Sequence, residues 1–141
     1  MKMYTSRTTY RVRYADTDQM GVVYYGNYPR FYEIGRSEMI REMGYSYKEL
    51  EDSGVFMPVA SVNAKYKRPI YYDEVITIET SLKKMPQARM VFYHTIYNEK
   101  NEVVHTAEVT LVFLSKETNR PVRVPGYMIR ALEKMNIFDN S

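Results

Sequence analysis

Between residues 28 and 43 the apolar side chains recur with a helical period, and beyond Gly54 they recur at every second position. On a helical wheel, Tyr28, Phe31, Tyr32, Gly35, Met39 and Met43 share one arc, while Arg30, Glu33, Ser37 and Arg41 lie opposite. This predicts one long amphipathic helix over 28–43. Asn27 is a suitable N-cap, Pro29 falls in the first turn, and Gly44 closes the end. Residues 46–53 predict a second, short helix opened by a Ser46–Glu49 capping box. Period-two patterning predicts strands over 7–14, 55–67, 74–84, 89–98 and 103–115, and residues 125–135 predict a terminal helix. In the last strand His105, Ala107, Val109, Leu111 and Phe113 share a face. Asn98-Glu99-Lys100-Asn101 reads as a tight hairpin connection.

A strand, a long helix and then a run of strands make an α+β protein, with an antiparallel sheet covering one face of a single helix. With no repeat, linker or low-complexity tract, residues 1–141 are expected to form one domain. One sheet on one helix leaves an open edge and an uncovered face, which predicts self-association.

Composition narrows the chemistry. The chain has no cysteine, which excludes disulfides, thiolate metal sites and thiol nucleophiles. Twenty Lys and Arg against 17 Asp and Glu leave a charge of +3, too weak and too scattered for an obligate nucleic-acid binder. Fifteen tyrosines with no tryptophan leave many phenolic hydroxyls needing partners or water. Without an apolar run of membrane-spanning length or a leader-like N-terminus, the expected setting is cytoplasmic.

The segment from Tyr14 to Tyr28 carries the candidate chemistry. Asp16 and Asp18 sit in a loop leading straight into the start of the long helix. A helix start exposes unpaired N–H groups that can polarise a carbonyl, and a nearby carboxylate can attack it or activate water. These parts suffice for acyl transfer. Aspartates also commonly cap turns, and spacing alone does not separate the two roles.

Asp16-x-Asp18-x-x-Gly21-x-Val23, then Tyr28, Phe31-Tyr32-Glu33 and Arg36-x-Glu38-Met39, resembles the 4-hydroxybenzoyl-CoA thioesterase family, most nearly its YbgC-like acyl-CoA thioesterase branch. The likeness continues through Tyr66-x-x-Pro69-x-x-x-Asp73-Glu74 and residues 105–109. It implies a hotdog fold, an antiparallel sheet wrapped around one long central helix, in a dimer or pair of dimers (a homotetramer). It also implies hydrolysis of acyl-CoA to carboxylic acid and CoA without metal or cofactor, in lipid metabolism. The motif's second aspartate, Asp18, is then catalytic, as nucleophile or general base. The polarising backbone N–H falls on Tyr25, where many YbgC-like members carry histidine.

For the rest, CoA phosphates suit the cations Lys67, Arg68, Lys83, Lys84 and Arg89, with Lys65 beside them. Val22, Val23, Met57, Val59 and Met90 are candidates for an acyl tunnel or for ordinary core. Counting back from the hairpin places His94 opposite His105, a pair that reads as structural. Glu33, flanked by Arg30 and Arg36, reads as an ion-pair residue. Two other functions fit the same frame: hydrolysis of acyl groups on acyl carrier protein, and acyl-CoA binding without catalysis.

Overall fold

In the computed structural model, which describes residues 3–44 and 47–138, the chain begins with β1 (Tyr4–Arg11). Two short 3-10 turns, Tyr14–Asp16 and Tyr25–Asn27, lead into α1 (Tyr28–Glu42). Then come α2 (Tyr47–Asp52), β2 (Val55–Phe56), β3 (Val59–Tyr66), β4 (Val75–Leu82) and β5 (Arg89–Tyr97). The long β6 (Val103–Ser115), β7 (Pro121–Val122) and α3 (Gly126–Lys134) complete the chain.

The sheet is antiparallel in the order β1-β4-β5-β6-β3, and β2 and β7 pair with the far end of β6. The helix α1 lies against β1, β4 and β5. Its buried face comprises Tyr28, Phe31, Tyr32, Gly35, Arg36, Met39 and Ile40, close to the arc that the periodicity marks. Ile78, Phe92, Val109, Leu111 and Phe113 of the sheet belong to the same core, all essentially without exposed surface. Each large apolar side chain so buried contributes about 1.5–3 kcal/mol, and this layer holds helix and sheet together. The architecture is the α+β sheet-on-helix expected. No helix among the described residues is long and apolar enough to cross a membrane.

Several local features differ from the sequence expectation. β1 starts and ends three residues earlier, because Tyr4, Thr5 and Ser6 already pair with β4 and Tyr14 enters a 3-10 turn. The strand expected over 55–67 divides at Met57-Pro58, where proline has no N–H to offer a ladder. The two-residue β7 was not foreseen. Asn27 makes no capping bond to α1; its side-chain amide donates to the Asp16 carbonyl at 2.8 Å, and the preceding 3-10 turn launches the helix instead. Ser46 of the expected capping box lies outside the described residues.

The histidine register also differs. Asn101 adopts a left-handed φ of 64° and Asn98 N–H donates to Glu102, so the connection holds one residue more than the tight turn assumed. A second shift lies between Ile96 and Tyr97. Together they set His94 opposite Ala107 and His105 opposite Ile96, so the two histidines are diagonal neighbours.

Gly35 has a specific reason to be glycine. A Cβ there would strike the Thr80 hydroxyl and come within 3.1 Å of Ile78 Cγ2. The missing side chain lets α1 approach β4.

Candidate active site

The loop between β1 and α1 is built around Asp16, whose carboxylate has no exposed surface. One oxygen accepts from the Arg30 guanidinium at 2.6 Å. The other accepts from the Tyr10 hydroxyl at 2.7 Å and the Arg13 N–H at 2.8 Å. Its backbone carbonyl accepts from Asn27 and from the Tyr24 N–H. Asp16 therefore ties β1, the loop and the start of α1 into one unit, and it also takes the Arg30 that spacing had assigned to Glu33.

Asp18 is different. It is half-buried, and its Oδ1 accepts from the Met20 N–H at 2.8 Å across a turn that closes on Gly21. Gly21 has φ 78°, a conformation that disfavours any residue with a Cβ. The loop then doubles back, with Asp18 N–H donating to Val22 and Thr17 bridging to Val23. Val23 donates to Ile70 and Tyr72 donates to Gly21, so the segment before β4 holds the returning limb. This ladder delivers the chain to Tyr25 at the start of the 3-10 turn that runs into α1. The first N–H groups of a helical turn have no acceptor within it, and Tyr25 is the first residue of this one.

Tyrosine rings surround this mouth. The Tyr25 side chain is 67% exposed, and its ring lies 4.8 Å from that of Tyr24. The Tyr66 hydroxyl reaches the Tyr25 carbonyl at 3.5 Å. Behind Tyr66, Tyr28 and His105 are buried, and burial beside Tyr66 pushes the Tyr28 phenol up to about 12. Deeper still, the Tyr32 ring stacks on both histidines, and its hydroxyl shares a 2.5 Å hydrogen bond with His105 Nε2. Burial lowers His105 to about 4, and burial with the Arg36 charge lowers His94 to about 3, so both rings are neutral near pH 7. His94 Nδ1 pairs with the Thr80 hydroxyl. The two histidines serve the core beneath the site.

The cations divide into two groups. Lys67 and Arg68 follow β3, close to the returning loop, with both amides donating to the Val104 carbonyl; Arg68 also pairs with Glu102 at 3.6 Å. Lys83, Lys84 and Arg89 line a cleft of about 540 Å³ at the other end of β4 and β5, with no acidic side chain in its lining. There the Lys83 ammonium sits 3.9 Å from the centre of the Tyr93 ring. Within one chain the second group does not meet Asp18. The tunnel candidates are also scattered: Val23 and Met90 are core, Val22 and Met57 half-buried, and Val59 half exposed on the edge strand. Neither the Asp16–Arg30 pair nor the position of Tyr66 is marked by spacing in the sequence.

Residues 12–132 match the family model described as the thioesterase-like superfamily. The chain is 35% identical to the "Putative acyl-CoA thioesterase YneP" of Bacillus subtilis, over 86% of this chain and 88% of that relative. It is 34% identical to the "Acyl-CoA thioester hydrolase YbgC" of Escherichia coli O157:H7, over 84% of this chain and 89% of the relative. Among solved structures, the DHNA-CoA thioesterase from Staphylococcus aureus superposes with a TM-score of 0.86 at 35% identity, covering 94% of this chain and 91% of the other. A family match that takes in the loop, the helix and every strand after β1 is decisive: the chain belongs to the thioesterase-like superfamily and has its hotdog fold.

Proposed function

We propose that this chain hydrolyses acyl-CoA thioesters at the mouth of α1, with Asp18 and the Tyr25 amide as the reacting pair. What supports the reading is the paired loop that holds a half-buried carboxylate and runs on to the first turn before α1, whose opening amides have no acceptor within it. The thioester carbonyl accepts from the Tyr25 N–H, which stabilises the oxyanion as the carbonyl carbon is attacked. Asp18 either attacks that carbon, expelling CoA and leaving a mixed anhydride that water then hydrolyses to free acid and Asp18, or removes a proton from a water that attacks the carbon directly. CoA leaves as the thiolate and takes up a proton, and the acyl group departs as a carboxylic acid. Tyrosine at position 25 keeps the backbone donor and supplies no imidazole. The chain acts as one hotdog unit, and no residue of the pair calls for a cofactor.

The reading extends to a second copy. β3 is exposed along almost its whole length, with Val59 and Val62 about half exposed, and among the described residues only one of its edges is paired. Pairing it antiparallel with the β3 of another copy would set that copy's Val59 end beside this chain's Tyr66. Three strand spacings, about 14 Å, would then separate β3 from the partner's β5. That brings the cleft of Lys83, Lys84 and Arg89 in the partner toward the Asp18 site, placed to hold CoA phosphates. Lys67 and Arg68 serve the same role from within the chain.

The test is thiol release from a panel of CoA esters by the wild type and Asp18→Asn. Turnover that disappears in Asp18→Asn, with ester binding retained, supports the reading. Full activity in the variant refutes the role of Asp18. Activity confined to acyl carrier protein esters would transfer the same chemistry to that carrier.

A further inference from the structure

Tyr66 has an unusual combination of place and exposure. It is the last residue of β3 and pairs with His105, so its side chain stands on the face of the sheet turned toward α1. Side chains on that face of β5 and β6 are buried, yet Tyr66 is 52% exposed. Its ring is nevertheless held. Tyr28 packs against it at 4.8 Å and 78°, and His105 at 4.7 Å and 68°. The hydroxyl lies 3.5 Å from the carbonyl of Tyr25, the residue whose N–H faces the reacting carbonyl in the proposed mechanism.

An aromatic ring fixed by two buried neighbours loses little freedom when a ligand lies on it. Its remaining exposed surface offers a planar π-system beside the catalytic amide. The Tyr24 and Tyr25 rings, 46% and 67% exposed, lie 4.8 Å apart on the segment whose carbonyl the Tyr66 hydroxyl reaches. We infer that Tyr66 is the specificity-determining wall of the acyl site, selecting planar aromatic acyl groups over saturated groups of the same size. This inference rests on the thioesterase reading above. The thioester carbon remains at Tyr25 and Asp18, and the acyl substituent lies along the Tyr66 ring.

Benzoyl-CoA and cyclohexanecarbonyl-CoA have nearly the same size and differ in aromaticity, so the ratio of their kcat/KM values isolates the ring contact. Wild type should favour benzoyl-CoA. Tyr66→Leu, which keeps apolar bulk, and Tyr66→Ala should each reduce that ratio about fivefold, the worth of one aromatic pair. Tyr66→Phe, which keeps the ring, should leave it within about twofold of wild type. A uniform loss on both esters would mark a merely structural residue and overturn the inference, as would an unchanged ratio in folded Tyr66→Leu. Either result would leave the thioesterase reading standing. Turnover of neither ester, nor of any other CoA ester, by wild type would overturn both.

Discussion

Replacing Asp16 with asparagine exchanges one acceptor oxygen for an NH2 group inside a site lined entirely by donors. Three donors converge on the carboxylate: the Arg30 guanidinium at 2.6 Å, the Tyr10 hydroxyl at 2.7 Å and the Arg13 N–H at 2.8 Å. An asparagine oxygen can satisfy one side, and its NH2 then faces a donor on the other. Hydrogen bonds to a charged group are worth about 1.5–3 kcal/mol each. Removing one partner of a fully buried ion pair costs about 3–5 kcal/mol. Arg30, however, is 52% exposed and regains hydration when its partner goes, so the lower end applies. The expected loss is about 3 kcal/mol, a fall in Tm of about 6–12 °C for a chain of this size. Thermal unfolding followed by circular dichroism measures it. Asp18→Asn is the control, since that carboxylate is half-buried and accepts one backbone hydrogen bond, at 2.8 Å from Met20. Its cost should stay near 1 kcal/mol or below, at about 1 ± 0.5 for a typical bond. Activity should fall in both variants, with the large loss of stability confined to Asp16→Asn. A Tm for Asp16→Asn within about 2 °C of wild type would refute the assignment of Asp16 as the structural carboxylate.

Gly35→Ala should be destabilising by about 1–3 kcal/mol, although alanine is the better helix former, because the added methyl meets Thr80 and Ile78; urea denaturation measures it. Acid should weaken the fold through the buried histidines. His94 and His105, lowered to about 3 and about 4 in the folded state, take up protons near 6.5 once unfolded. The unfolded state therefore binds more protons below that pH, and stability falls as pH drops from about 6.5 toward 4. Tyr32, Thr80 and the Arg36 charge surround the rings, with no carboxylate among these neighbours to favour imidazolium. Equilibrium unfolding at stepped pH should show this slope, and His94→Gln should flatten it.

The helix and the strands were legible because their evidence is local and repeated. The period of α1 places Phe31, Tyr32 and Met39 on one face regardless of what they meet, and the alternation of β6 does the same for His105 to Phe113. The motif that directs attention to Asp18 is likewise contiguous. Register was another matter, because a single left-handed asparagine and one bulge shift every residue behind them, and alternation contains no trace of either.

The amino-acid sequence by itself determined the class of fold, the family likeness and the segment that bears the chemistry, since each is written in neighbouring residues. Only the tertiary structure decided which aspartate is buried and which stays half-buried in the loop. Asp16 and Asp18 are equivalent in spacing, and they differ through Tyr10, Arg13 and Arg30, which folding brings to one of them. The same holds for Tyr66, which lies far along the chain from Tyr25 and reaches it because β3 ends beside the start of α1. It holds too for the cations, one sequence class that the sheet separates into two ends. Contacts between distant segments depend on register and packing, and no local pattern encodes them.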